Sequence, residues 1–323
     1  MKKYDVVTIG GVVEDTTFFV NQGKLLKDSK KDIFLSFELG TKVDIKKTYL
    51  NLGGGAANTA VGCNNFGLNT GMVTRVGNDD RGKYILKELK KLKLDTSLVQ
   101  TDQDEHTGFS FICGFEKNKL HAIFSYRGAA SKLRFDAKTL ENVKTRWMHV
   151  TSLKNKNWPE LMDNIASYAK KNQTGWSWNP GGTQLLVGAK KLAKYLKVVD
   201  ILLVNRAEAE ELVGGNEKSV SEILKKLSKF GPKIVVITDG AKGAYVFESA
   251  NQKEYYHKAL AKKIVDTTGA GDAFASGFIS GMLMYKDIKK ALKLGMANSQ
   301  GVLKEVGAQH GLLTKADLTK VFK

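Results

Sequence analysis

The sequence predicts an α/β fold, a mostly parallel central sheet flanked by helices with a small β-sheet lid. Short β-branched runs alternate with helical patterns of ~10–15 residues, the rhythm of βαβ units. Two stretches, residues 12–50 and 107–126, break that rhythm with strand-like pieces and no helix between them. No linker, low-complexity tract or repeat divides the 323 residues. The chain therefore reads as one domain, 1–323, with those two stretches as its lid.

"YDVVTIGG" (Tyr4 to Gly11) is an apolar run ending in glycines, as a buried strand does. "DIFLSFEL" and "KVDIKKTYLN" follow as lid pieces, and "TGFSFICGFEKNKLHAIFSY" reads as a hairpin turning at Glu116 to Lys119. Further strands are expected at "GMVTRVG", "WMHVTSL", "TGWSWNP", "DILLVN", "KIVVITDG" and "GAYVFES". Helices are expected at "RGKYILKELKKLKL", "WPELMDNIASYAKK", "GAKKLAKYLK", "SVSEILKKLSKF" and "IKKALKLGMANSQGVL".

Composition narrows the function classes. A 42% hydrophobic and 26% charged chain supports an ordinary globular core. The net charge of +18 raises a nucleic-acid reading. However, the excess is mostly lysine spread over helix faces, arginine is scarce, and no zinc-finger, RRM or helix-turn-helix pattern accompanies it. No nucleic-acid partner is expected; the field would steer anionic ligands such as nucleotides. Cys63 and Cys113 lack metal-ligand spacing, which fits buried thiols in a reducing cytoplasm. Asp5, two glycines and Glu14-Asp15 interrupt the first apolar run too early for a signal peptide, and no run reaches the ~18 apolar residues of a membrane span. The apolar "FSFICGF" makes a homodimer through the lid the expected assembly.

The chemistry concentrates in "DTTGAGDAF". Main-chain N–H groups at a helix start lack internal partners and carry partial positive charge, and small residues let an anion approach them. Gly269, Ala270 and Gly271 thus form a candidate anion hole. Asp272, in the first helical turn, is expected to be ionised by the helix end and to act as general base toward a hydroxyl. The alternative is a capping carboxylate behind a glycine turn. Ala273, Gly277 and Gly281 form a small stripe for close helix packing.

In "NLGGGAANTAVGCNNFG" the glycines precede a helix pattern with Asn58 one turn in, an amide suited to sugar hydroxyls rather than a dinucleotide loop. "GNDDRGKY" only imitates a phosphate loop: Tyr84 stands where a Ser or Thr is needed, and Asp79-Asp80 would repel phosphate, so it reads as a strand-to-helix turn. Asn205 and Glu208 could meet a magnesium-bound phosphate through water, or simply form a capping box. Gly240 and Gly243 follow a strand, as where a flat nucleotide crosses backbone.

"GGGAANTAVGCNNFG" and "DTTGAGDAFASGF" resemble the two signatures of the ribokinase-like sugar kinases, also called the phosphofructokinase B family, in the same order. "NRAEAEEL" and "TDGAKGAYVF" are similar to its nucleotide-side motifs. The resemblance implies a ribokinase-like fold and phosphoryl transfer from ATP with magnesium to a hydroxyl of a small sugar or sugar acid, of the fructose, ribose or 2-keto-3-deoxygluconate class. It further implies that Asp272 is the base, with Gly269–Gly271 amides around the phosphoryl group. Asn205 and Glu208 would organise magnesium and phosphates, and Thr238, Gly240 and Gly243 would line the nucleotide site. Asp15, Gly54 and Asn58 would hold substrate, and a potassium ion would lie near Asp266, Thr268 and Gly307.

Where ribokinases proper carry a glutamate, this chain reads Thr151-Ser152-Leu153-Lys154. Arg127 would suit a carboxylate or phosphate on the substrate, or is a surface arginine. Two other functions compete. One is a nucleoside kinase stacking a base on Phe109, Phe111 or Phe124. The other is a non-catalytic sugar-binding protein.

Overall fold

A computed structural model describes residues 2–29, 32–115, 121–136, 139, 143–215, 219–260 and 264–323. The chain lays β1 (Lys2–Ile9) through the middle of the molecule and leaves at once for the lid with β2 (Val13–Val20). A short ribbon of β3 (Lys24–Lys27) and β4 (Ile33–Ser36) precedes β5 (Lys47–Gly53), and α1 (Gly55–Asn65) returns to the body. Next come β6 (Thr70–Gly77), α2 (Asp80–Lys91) and β7 (Val99–Asp102), then the lid strands β8 (Phe109–Phe115) and β9 (His121–Tyr126). Alternation resumes with β10 (Val143–Val150), α3 (Trp158–Asn172), β11 (Gly175–Trp178), α4 (Gly182–Leu185), α5 (Ala189–Leu196) and β12 (Ile201–Asn205). The far edge is built from α6 (Arg206–Val213), α7 (Val220–Ser228), β13 (Ile234–Thr238), β14 (Ala244–Glu248) and β15 (Lys253–His257). Helices α8 (Ala270–Tyr285), α9 (Ile288–Val302) and α10 (Leu318–Phe322) come last.

Nine strands form the main sheet among the described residues, in the order β15-β14-β13-β12-β11-β10-β1-β6-β7. Those from β13 to β7 pair in parallel; β14 and β15 add an antiparallel edge. Helices cover both faces, which is why β1 needs apolar residues on both: Val6 packs with α8 and α9, whereas Val7 and Ile9 pack with α3 and α5. The small-residue stripe acts as expected. A Cβ on Gly277 would stand 2.8 Å from the Leu294 carbonyl, and one on Gly281 2.5 Å from Ala291 Cα, so α8 and α9 meet backbone to backbone.

The lid sheet runs β5-β2-β8-β9. Residues 12–50 do not all join it, contrary to the simplest expectation. Ile33–Ser36, inside "DIFLSFEL", pairs with Lys24–Lys27 in the separate ribbon through the main-chain ladder of a hairpin, while Leu35 packs on the lid residues Val20, Cys113 and Phe115. The expected turn at Glu116 to Lys119 lies outside the described residues. "GNDDRGKY" is a strand-to-helix turn, with Asp79 Oδ1 capping α2 by accepting from Gly82 N at 2.8 Å. No helix among the described residues is long and apolar enough to cross a membrane.

Candidate active site

The site forms where α8 begins beneath the lid. Gly269 caps the helix at φ 75°, a left-handed conformation that favours glycine, and an added Cβ would stand 2.4 Å from Ala308 Cβ. The three-amide hole needs one correction. Ala270 N–H turns back to the Thr267 carbonyl at 3.3 Å. Gly269, Gly271 and Asp272 N–H have no hydrogen-bond partner among the described residues, so these are the donors left free at the helix start.

Asp272 Oδ2 accepts from Asn58 Nδ2 at 2.8 Å. Burial raises the Asp272 pKa, and the Asn58 hydrogen bond opposes this only in part. Loss of solvent thus opposes the charge that the helix end favours. A higher proton affinity suits a base working near neutral pH.

Two cavities meet at this turn. Asp272 lines the first with Gly11, Gly54, Arg127, Lys154 and Asn179. Ala270 and Gly271 line the second with Thr238, Gly240, Gly243 and Phe274. Consecutive residues of one helical turn thus face two separate spaces. Gly271 has room on its cavity side, since an added Cβ meets nothing within 4 Å and its φ is not left-handed. Gly271→Val should leave the unfolding midpoint nearly unchanged, yet place a branched side chain beside the free amides. Phosphoryl transfer should drop about tenfold or more, toward the loss seen for one oxyanion donor; unchanged steady-state rates would remove these amides from the site.

In the first cavity Gly54 is held at φ 92°, where a Cβ would approach the Gly11 carbonyl to 2.5 Å. Arg127 and Lys154 are exposed at the cavity and have no hydrogen bond or ion pair among the described residues. Burial lowers the pKa of both, and Arg127 lowers that of Lys154 further. Asp15 sits on β2 behind Gly53 and is buried. Burial raises its pKa to about 6; Ser110 and Arg127 pull it down while Asp272 pushes it up. Asn58 departs from its expected place on the cavity wall. It is 4% exposed, with one end of its amide on Asp272 and the other accepting from Gln309 Nε2 at 3.0 Å.

In the second cavity Thr238 ends β13, and Gly240 is open, with nothing within 4 Å of an added Cβ. Gly243 is glycine for a packing reason, since a Cβ there would strike the His257 carbonyl at 2.1 Å. Asn205 and Glu208 form the full capping box: Asn205 N donates to Glu208 Oε2 at 2.8 Å and Glu208 N to Asn205 Oδ1 at 2.9 Å. Burial raises the Glu208 pKa, the Asn205 N–H lowers it, and Glu211 and Asp272 raise it again. Glu208 Oε1 has no protein partner among the described residues, so it is free to accept from a magnesium-bound water. Asp266, Thr268 and Gly307 do come together: Thr268 N and Oγ1 donate to Asp266 Oδ1 at 2.9 and 2.8 Å, and Gly307 N to Oδ2 at 3.0 Å. Both Asp266 oxygens already clamp the loop. A cation beside it would be held mainly by main-chain oxygens.

The sequence reading missed Gln309, 251 residues from its partner Asn58, and did not see Lys154 or Asn179 as cavity residues. Nothing local marks Gln309; the charge change at Lys154 was the available signal. Phe109, Phe111 and Phe124 do not line the first cavity. Asp15 pairs with Ser110 and Phe111 with Phe124, so strand alternation puts these rings on the lid face away from Asp15.

The chain is similar to known kinases over most of its length. The chain is 30% identical over 322 residues to an ATP-dependent 6-phosphofructokinase of Thermoanaerobacterium thermosaccharolyticum, covering 95% of this chain and 90% of that one. It is 26% identical over 286 residues to a 5-dehydro-2-deoxygluconokinase of Bacillus subtilis, covering 84% and 86%. Its fold matches Arabidopsis thaliana ribokinase complexed with ribose and ATP at a TM-score of 0.82, with 21% identity and coverage of 100% and 99%. The profile of pfkB family carbohydrate kinases matches residues 30–315, most of the chain, and the protein belongs to that family as a carbohydrate kinase with the ribokinase fold.

Proposed function

We propose that this kinase transfers the γ-phosphoryl group of ATP to a hydroxyl of a small anionic sugar, a sugar phosphate or sugar acid. One observation carries the choice: Arg127 and Lys154, two cations with no hydrogen bond or ion pair among the described residues, share the cavity of Asp272. Asp15 offsets part of the Arg127 charge from a distance, and none is recorded for Lys154. An anionic acceptor would pair with both directly, which a neutral ribose or fructose does not. The relatives named 6-phosphofructokinase and 5-dehydro-2-deoxygluconokinase fit the same reading.

The acceptor's anionic group rests on Arg127 and Lys154, with Asp15 and the Gly54 main chain beside its hydroxyls. ATP lies along Thr238, Gly240 and Gly243. Asp272 takes the proton of the attacking hydroxyl as the new O–P bond forms and the bond to the ADP oxygen breaks. The free N–H groups of Gly269, Gly271 and Asp272 stabilise charge on the transferring oxygens, which is most of what phosphoryl transfer asks of a protein. Magnesium, held through water by Glu208 near Asn205, would neutralise phosphate charge; potassium beside the 266–268 loop would add to it. The lid excludes water.

The nucleoside reading finds less support, because its aromatic residues lie on the other lid face. That face exposes Leu50, Phe111, Phe124 and Tyr126, which supports a homodimer through the lid. Two buried free cysteines support a cytoplasmic setting. The test is a panel of fructose 6-phosphate, 2-keto-3-deoxygluconate, fructose, ribose and adenosine with ATP and magnesium, in potassium and in tetramethylammonium salt, with mass by light scattering. Anionic sugars should exceed neutral ones in kcat/KM by at least about tenfold, one charge-assisted contact. Equal or better use of ribose, fructose or adenosine would refute the acceptor assignment, binding without transfer would refute the kinase one, and a monomer would refute the lid dimer. Equal rates in both salts would refute the potassium requirement.

A further inference from the structure

The turn Val306 to His310 touches the site at three points. Ala308 is buried against Gly269 at the start of α8. Gly307 N donates to Asp266 Oδ2 at 3.0 Å, and the His310 ring meets the Val306 carbonyl at 2.7 Å, closing the turn. Between them Gln309 reaches Asn58, its Nε2 donating to Asn58 Oδ1 at 3.0 Å. Asn58 in turn donates to Asp272 at 2.8 Å.

A side-chain amide has a donor end and an acceptor end, and half a turn exchanges them. Beside a carboxylate only the NH2 end attracts. Gln309 supplies the hydrogen bond that Asn58 Oδ1 receives among the described residues. Asn58 is nearly sealed from solvent, so water is a poor substitute for that donor. We infer that Gln309 is a positioning residue for phosphoryl transfer: it fixes the Asn58 amide so that its NH2 group holds the Asp272 carboxylate in place. This rests on Asp272 being the base. Because Gly307 belongs to the same turn, the arrangement also ties the base to the 266–268 loop.

Gln309→Glu at pH 8 keeps the shape but sets an acceptor against Asn58 Oδ1, favouring the exchanged amide with its carbonyl toward Asp272. It should lower kcat about tenfold, the size of one charge-assisted hydrogen bond, with both KM values changed less than about threefold. Gln309→Leu should lower kcat less. In an Asn58→Ala background Gln309→Glu should change kcat no further, because the chain is already cut. Thermal unfolding checks that each variant folds. If Asp272→Asn is inactive while both Gln309 variants turn over like wild type, the positioning role is refuted and the base assignment stands. Equal losses from Gln309→Glu with and without Asn58 would also refute it. Turnover surviving in Asp272→Asn would remove the base itself.

Discussion

Asp272→Asn is expected to lower kcat by at least about 100-fold, the lower end for loss of a general base, with the fold intact. The amide keeps the carboxylate's shape and still offers Asn58 an acceptor, so packing is preserved while the proton sink is lost. Stability should shift the other way. Burial raises the folded-state pKa of Asp272, so its contribution to stability is fully present below the unfolded-state value, about 3.9, and is lost as pH rises through the folded value. Above that folded value the wild type carries a desolvated carboxylate, and there the variant should melt at the same temperature or higher. Calorimetry across a pH series from 4 upward checks this, the variant's advantage being absent at pH 4 and growing as pH rises. The same raised pKa puts the acid limb of the rate profile above the ordinary carboxylate range, with turnover falling as pH drops through it.

The second large effect concerns the acceptor. Arg127→Ala should raise KM for an anionic sugar by about 10- to 100-fold, as for loss of a hydrogen bond between charged groups, with a smaller change in kcat. Lys154→Ala should act in the same direction, and the two losses should not simply add because the cations share one cavity. Arg127 also holds down the pKa of Asp15, which burial lifts to about 6. Without Arg127 that carboxyl should rise further, and kcat/KM should begin to fall at a higher pH than in wild type. If KM for the anionic sugar is unchanged in both variants, these residues are surface cations and the acceptor assignment fails.

What the sequence made legible was what a local pattern encodes. The apolar runs of β1, β6 and β10–β14 are buried on both faces and read directly as strands. "KEYYH" did not, because β15 is an edge strand with much of its surface in water. The start of α8 was legible because free amides, small residues and a carboxylate must be contiguous to work together. Asn205 and Glu208 were read both as a capping box and as a phosphate-side pair, and the first is visible in their hydrogen bonds. Lys154 and Asn179 reach the site only through the sheet topology, which sets strand ends β10 and β11 beside the N-terminus of a helix formed much later in the chain. Gln309 reaches it only through the turn after α9 that packs on that N-terminus. The upward shift of the Asp272 pKa was not legible for a related reason: a helix-end charge effect is local, whereas burial depends on everything packed around it.

The most direct measurement is ³¹P NMR of ATP and magnesium with fructose 6-phosphate or 2-keto-3-deoxygluconate, catalysed by wild type and by Asp272→Asn. The expected result is a new sugar-phosphate resonance growing in step with ADP for the wild type and nearly absent for the variant. A phosphosugar formed equally fast by both, or ATP consumed only to inorganic phosphate, would contradict transfer between the two cavities across the first turn of α8.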